Sequence, residues 1–258
     1  MRLDLEIVKR GLLPTRSKAK DAILTGKVYY NGVCITKPSF EVEADSIIEC
    51  KDSLKYVSKG GLKLEKAIND FGLNLKGQVL LDIGASTGGF TDCALQNGVS
   101  RVIAVDVGAN QMHPLLRENP KIKLYENTDF RNMDFNLLSD VTIASIDVSF
   151  ISVSKLNYRL RELNKLKTIV CLIKPQFECG KQVASKYKGV IKDKDVHYTV
   201  INSVIESFKQ LGFEVANLTY SPITGGDGNI EYLALFQKTQ PSVIDIKNII
   251  EDAFRTLT

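Results

Sequence analysis

The stretch LLDIGASTGGFTD, residues 80–92, decides how the rest of this chain is read. Within it, Gly84 through Gly88 spell G-A-S-T-G, a match to the G-x-S-x-G elbow that exposes a nucleophilic serine. With Gly89 the same residues come close to the G-x-G-x-x-G turn that carries a dinucleotide pyrophosphate. A third reading is a loop whose bare backbone admits a phosphate-free adenosyl cofactor. Each reading makes a different demand on the surrounding residues.

The serine reading needs an acid and then a histidine further along the chain. Of the 2 histidines, only His197 comes late. It lies in KDKDVHYTVINSVIESF, residues 192–208, a helix-like segment where a surface or helix-start role is expected. The dinucleotide reading needs a middle glycine so that the backbone can approach the pyrophosphate. Ser86 stands at that place, and Asp82 just before the turn would repel phosphate. S-adenosylmethionine removes both objections, because it carries no phosphate and its ammonium and sulfonium are favoured by an acid. Its amino-acid end can lie against Gly84, Gly88 and Gly89, with Ser86 as a loop residue of the same site. Asp106, at the end of the next apolar run, suits either cofactor by accepting ribose hydroxyls. Asp129 in ENTDF is placed to receive the adenine amino group or, alternatively, to cap a helix.

Outward from the loop, QVLLDIG, RVIAVDVG, IKLYENTDF, VTIASIDVSF and KTIVCLIKPQF are apolar, β-branched runs with helical or looped segments between most of them. Such runs alternating with helices predict a parallel sheet covered on both faces. FEVANLTYSP and EYLALFQK, separated only by ITGGDGN, predict an antiparallel pair, which gives the sheet one reversed edge strand. A final helix near VIDIKNIIEDAF is expected to pack back on the sheet. This is the architecture of a Rossmann-like seven-stranded methyltransferase sheet, by analogy of fold.

At 258 residues and 44% hydrophobic content the chain can bury one large core and a small satellite. No apolar run is long enough to span a membrane, and MRLDLEIVKRG lacks a signal-peptide core, so a cytoplasmic protein is expected. The 5 cysteines (Cys34, Cys50, Cys93, Cys171, Cys179) include no C-x-x-C pair, which with 2 histidines predicts reduced, mostly buried thiols and no metal site. The net charge is +4, but residues 1–40 carry eight Lys/Arg (Arg2, Lys9, Arg10, Arg16, Lys18, Lys20, Lys27, Lys37) against three acids (Asp4, Glu6, Asp21). That excess of five leaves the remaining residues at −1, so a basic module sits on a near-neutral body and points to a polyanionic partner.

That module parses as LDLEIVKRG, a short helix closed by Gly11, then a helix capped by Thr15 in TRSKAKDAILTG. KVYYNGVCIT follows as a hairpin on Asn31-Gly32, and SIIEC as a last short strand. RLD, GLLPTRSKAKDAILTGKVYYNG and KPSFEVEADSII closely resemble the S4 RNA-binding domain. The resemblance implies RNA phosphate contacts for Arg2, Arg16, Ser17, Lys18, Lys20, Lys27 and Asn31. Residues 1–52 are therefore expected as an α+β S4 domain, 53–60 (within DSLKYVSKGG) as a linker, and 61–258 as the methyltransferase domain.

Acceptor chemistry is read at the strand ends. Ile146-Asp147-Val148-Ser149-Phe150 is not the D-P-P-Y-like tetrad of amino-methylating enzymes. Cys171 is mid-strand and Cys179 follows no proline, which weakens a cytosine C5 mechanism. What remains is Asp147 and Lys174 ending two strands, Glu231 opening the last, and Lys63 on the helix before the sheet, with Lys59 and Lys66 as nearby alternatives to it. Lysines in such a core are costly unless paired, so two beside two acids make physical sense together. The set resembles the K-D-K-E tetrad of ribose 2′-O-methyltransferases related to FtsJ. A ribose hydroxyl must lose its proton as it attacks, and a lysine can act as base or stabilise the alkoxide.

With YVSKGGLKLEKA, DIGASTGGFTD, AVDVGANQ, IDVSFIS, LIKPQFE and GNIEYL, nearly the whole chain is similar to the TlyA family, often labelled hemolysin A. That resemblance implies 2′-O-methylation of cytidine in ribosomal RNA of either subunit, with ribosomal RNA or ribosomal subunits as partner. An S4-type RNA binder with a non-catalytic fold is the alternative. A membrane-lytic hemolysin would need a span or an amphipathic pore segment, and neither is legible.

Overall fold

A computed structural model describes residues 1–24, 26–43, 45–50 and 55–258. The chain divides into Met1–Lys55 and Tyr56–Thr258.

In the first unit, α1 (Leu3–Lys9) and α2 (Arg16–Leu24) pack on a small sheet of β1 (Val28–Tyr30), β2 (Val33–Cys34) and β3 (Ile48–Cys50), ordered β2-β1-β3 and antiparallel throughout. Thr15 accepts the Lys18 N–H at 3.2 Å, as a helix cap should. Asn31 (φ 48) and Gly32 (φ 81) both take the left-handed backbone that a two-residue hairpin demands. Leu3, Ile7, Ala19, Ile23, Val28, Val42 and Ile48 form its core.

The second unit is built from α3 (Gly60–Phe71), β4 (Val79–Ile83), α4 (Gly89–Gln96), β5 (Arg101–Val105), α5 (Pro114–Arg117), β6 (Ile122–Tyr125), β7 (Ile143–Ile146) and α6 (Asn157–Leu160). It continues through β8 (Thr168–Ile173), α7 (Pro175–Glu178), α8 (Lys181–Lys186), α9 (Lys194–Lys209), β9 (Glu214–Tyr220), β10 (Tyr232–Gln237) and α10 (Ile246–Leu257). Strand order is β6-β5-β4-β7-β8-β10-β9. Alternation along each strand feeds two cores: Leu80, Val102, Val170 and Leu233 face α3 and α4, while Leu81, Ile103, Ile169 and Phe236 lie in the core of α9 and α10. The order reverses between β4 and β7, and ligands of open α/β sheets bind at such a switch point, beyond the carboxyl ends of the strands.

Four expectations need correction. The reversed strand is β10, which pairs antiparallel with both β8 and β9, so the edge belongs to β9. The short connection after β9 forces a hairpin, and the return strand fills the gap beside β8. His197 does lie in the first turn of α9 but is fully buried rather than at the surface, and Cys34 is exposed while only Cys93 and Cys171 are buried. Finally, packed structure starts inside the stretch expected as a linker. Tyr56 is 3% exposed, against Gly61, and the Val57 N–H donates to Asp92 at 2.8 Å. The expected boundary at residue 52 and linker residues 53 and 54 lie outside the described residues.

Candidate functional site

A cleft of about 330 Å³ opens at the switch point, lined by Gly84, Ser86, Asp106, Asp129, Asp147 and Phe150 among others. The Asp106 carboxylate forms one wall. It accepts the N–H of Ser86 and of Gly108, each at 2.7 Å, which fixes the carboxylate while leaving lone pairs for a ligand. Asp129 caps the short 3-10 turn after β6 through the Arg131 N–H at 2.9 Å, and its carboxylate is forked by the Arg131 guanidinium. Those hydrogen bonds from Arg131 hold the Asp129 carboxyl below its ordinary range. Asp129 thus lines the cleft and caps the turn with the same side chain.

The glycines divide. Gly84 (φ +85) lines the cleft, and a Cβ there would strike the Asp147 carbonyl. Gly88 and Gly89 do not line it. A side chain at Gly88 (φ +90) would strike Leu116 and Met112, and one at Gly89 would strike Ser58. Their bareness is required by protein packing. Asp82 also stands back from the cleft, fully buried, accepting Thr91 Oγ1 at 2.6 Å and Ser145 Oγ at 2.8 Å. Burial pushes its carboxyl up to about 6, against two hydroxyl hydrogen bonds that lower it.

On the other side of Asp147 stand the lysines. Lys174 Nζ pairs with Asp147 Oδ1 at 2.5 Å and donates to Ser149 Oγ at 3.0 Å. Lys63 Nζ pairs with Glu231 Oε2 at 2.6 Å, and Gln176 Nε2 donates to Glu231 Oε1 at 3.1 Å. Register brings these pairs together: Tyr232 lies opposite Ile173, so Glu231 and Lys174 face each other one step beyond. Lys66 pairs instead with Asp70 at 2.6 Å and Lys59 is exposed, so Lys63 is the lysine that meets Glu231.

In the first unit, Arg2 Nε and Arg16 Nε reach the two oxygens of buried Asp4 at 3.0 and 2.9 Å. Burial opposes the Asp4 charge, yet hydrogen bonds from the two arginines hold its carboxyl below the usual value. Ser17, Lys18, Lys20 and Lys27 are exposed. Asn31 Oδ1 accepts the Ile47 N–H at 2.9 Å, so its side chain also braces the hairpin.

Sequence reasoning passed over three residues. Glu126 gathers the Gln111 and Met112 N–H groups and the Arg117 guanidinium, whose hydrogen bond lowers its carboxyl to about 2; Glu126 thereby organises the segment after β5. Phe150 is 91% exposed at φ 65, its ring 4.9 Å from that of Phe177. An aromatic following the strand-end acid was a legible signal. Gln176, inside the quoted LIKPQFE, was not singled out either. Among the described residues no group of His, Cys, Asp and Glu could hold a metal ion, and no helix is long and apolar enough to cross a membrane.

A seven-stranded sheet with this order, an acid-lined cleft at its switch point and two buried lysine–carboxylate pairs define the methyltransferase class of α/β fold. The FtsJ-like methyltransferase family matches residues 56–238, and the S4 domain matches residues 1–48. Hemolysin A of Brachyspira hyodysenteriae is 42% identical over 239 residues, covering 92% of this chain and 99% of that protein. The 23S rRNA (cytidine-2'-O)-methyltransferase TlyA of Campylobacter jejuni is 37% identical over 257 residues, covering 92% of this chain and all of that one (100%). A solved structure from Streptococcus thermophilus, 39% identical, superposes with a TM-score of 0.72 over 99% of this chain and 96% of its own. The chain belongs to the TlyA family of FtsJ-like methyltransferases with an N-terminal S4 domain.

Proposed function

We propose that this chain transfers a methyl group from S-adenosyl-L-methionine to a ribose 2′-hydroxyl of ribosomal RNA, on cytidine, in the cytoplasm. The observation that carries the reading is the pair of lysine–carboxylate contacts, Lys174–Asp147 and Lys63–Glu231, at the cleft end of the sheet. The residues fit the cofactor. The Ser86 N–H, which a pyrophosphate would need, is spent on Asp106. Among the described residues Asp106 lines the cleft without a cation while Asp129 and Asp147 are paired with Arg131 and Lys174, so a phosphate-free nucleoside suits it. When bound, that cofactor supplies an electrophilic methyl group.

The chain's own residues then have distinct tasks. Asp106 accepts the ribose hydroxyls, Asp129 meets the adenine edge, and Gly84 with Ser86 keeps the approach open. Gly88 and Gly89 shape the turn from behind. Asp82 adds negative potential from beneath it. Lys174 Nζ faces the target 2′-oxygen and stabilises the charge that builds there as the proton leaves, with Asp147 and Ser149 holding it in place. Glu231 and Gln176 fix Lys63, whose charge adds to that field. Phe150 offers an exposed ring on which the target base stacks. The RNA itself is gripped by the first unit, through Arg2, Arg16, Ser17, Lys18, Lys20, Lys27 and Asn31, while the catalytic unit begins at Tyr56. Positioning supplies much of the rate, since the attack must be in line.

The test is mass spectrometry of unmethylated ribosomal RNA after incubation with purified chain and labelled cofactor. A single added methyl on a cytidine ribose is expected. A methyl on a base atom, or none, would overturn the reading.

A further inference from the structure

A second groove, of about 580 Å³, lies away from the cleft between residues 187–192 and the turn at Asp227 and Gly228. Tyr187, Lys188, Val190 and Lys192 line one side of it, and Lys186 sits 5.3 Å from the Tyr187 ring. Lys186, Lys188 and Lys192 are exposed, and among the described residues none has an ion-pair partner. Asp227 is the one acid in the lining; nearby Asp193 accepts the Tyr187 hydroxyl at 2.6 Å, caps α9 and sets its charge against Lys186. With Asp227 and Asp193 set against Lys186, Lys188 and Lys192, the groove and its rim keep a net positive charge.

It is also a built feature. Lys188 adopts φ 51, a backbone that L side chains rarely take, beside Gly189 at φ 83. Asn229, 3% exposed, straps this segment down: its Oδ1 accepts the Ile191 N–H at 3.1 Å and its Nδ2 donates to the Gly189 carbonyl at 2.8 Å. His197 adds a second clasp between the Ile191 carbonyl at 2.9 Å and the Tyr232 hydroxyl at 2.7 Å. Both clasps end on the chain that flanks Glu231. Gly228 is three residues from Glu231, so the groove rim lies within about 11 Å of that residue's Cα.

We propose that this groove is an RNA-docking surface of the catalytic unit, seating the sugar–phosphate backbone of nucleotides next to the modified one. The inference rests on the reading of the chain as a ribosomal RNA methyltransferase. Three ammonium groups against two carboxylates leave an excess positive charge that complements phosphates, and the location next to Glu231 puts those phosphates within a nucleotide or two of the reacting hydroxyl. Lysines contact phosphates as point charges without reading sequence, so the surface adds grip and register, not base choice.

The test is the triple variant Lys186→Ala, Lys188→Asn, Lys192→Ala in the full chain, since asparagine tolerates the left-handed backbone at position 188. Binding to purified bacterial ribosomal RNA is titrated at several salt concentrations, and methyl transfer is measured alongside. Three lost phosphate contacts should flatten the slope of log affinity against log salt by about 2. The KM for RNA should rise tenfold or more, with kcat at saturation and cofactor affinity unchanged. Unchanged slope and KM in an active enzyme would overturn the groove and leave the methyltransferase reading standing. A wild-type chain that binds RNA with the steeper slope yet transfers no methyl would keep the groove and sink that reading. A wild-type chain that does not bind RNA removes both.

Discussion

Asp4 in the first unit and Asp82 in the second are both cut off from solvent, and their neighbours treat them in opposite ways. Asp4 has two guanidinium partners and its carboxyl is held low. Asp82 has two hydroxyls, no cation, and a carboxyl raised to about 6 by burial. The Arg2 and Arg16 side chains remain 43% and 49% exposed, so the buried acid organises cations that still face outward. In the catalytic unit the lysines themselves are buried, with Lys63 and Lys174 each 10% exposed at the side chain. A buried acid thus anchors two outward-facing guanidinium groups in one unit. In the other, buried lysines are each held by a carboxylate, and among the described residues a buried acid behind the loop has only hydroxyl partners.

The strongest way to break that contrast is Lys174→Ala. If the buried lysine acts on the reacting oxygen, kcat should fall by about a thousandfold, within the range for a lost proton-handling or charge-stabilising group. Cofactor affinity, read by calorimetry, should survive; a variant that keeps its kcat would remove Lys174 from the chemistry.

Asp82→Asn tests the acid that has no cation. Its folded value lies above the unfolded one, so the stability it contributes is full below about pH 4 and lost as pH rises through 6. At neutral pH the ionised acid should cost about 3 kcal/mol. Denaturant melts should show the asparagine variant gaining on the native chain from pH 4 to 7, while its affinity for the cationic cofactor drops. A difference that does not change with pH would show the carboxyl to be ordinary.

Phe150→Asn comes next. The left-handed backbone at Phe150 suits asparagine, so folding should hold or improve. Losing a stacked base costs about 1–3 kcal/mol, and the KM for RNA should rise accordingly with cofactor binding unchanged. The smallest effect is expected for Arg16→Ala. Arg2 still covers Asp4 and the lost head is half exposed, so stability should change by less than about 1 kcal/mol. RNA affinity should weaken uniformly across sequences, with the salt slope reduced by about 1.

Much of the fold was legible locally. The Asn31-Gly32 hairpin, the Thr15 cap and the glycine turn after β4 depend on backbone sterics that a few residues dictate. The apolar runs told of a covered parallel sheet because both faces need apolar side chains. What stayed hidden was long-range. Gly88 and Gly89 read as room for a ligand, but their neighbours are Leu116, Met112 and Ser58, which the chain brings in from elsewhere. His197 read as a surface or helix-start residue in a helix-like segment; it does lie in the first turn of α9, but its ring is buried against Tyr232 and Phe254.

The sequence by itself determined the strand and turn types, the order of the elements and the basic bias of the first unit, since each follows from steric and charge preferences acting over a few residues. Only the tertiary structure decided that β10 lies inside the sheet, that Lys63 rather than Lys66 meets Glu231 across 168 residues, and that Asp82 is sealed behind the loop. Strand register and burial set those outcomes, and both are properties of the whole packed sheet. In LLDIGASTGGFTD the turn was written locally, while the company it keeps was fixed by strands that fold against it from far along the chain.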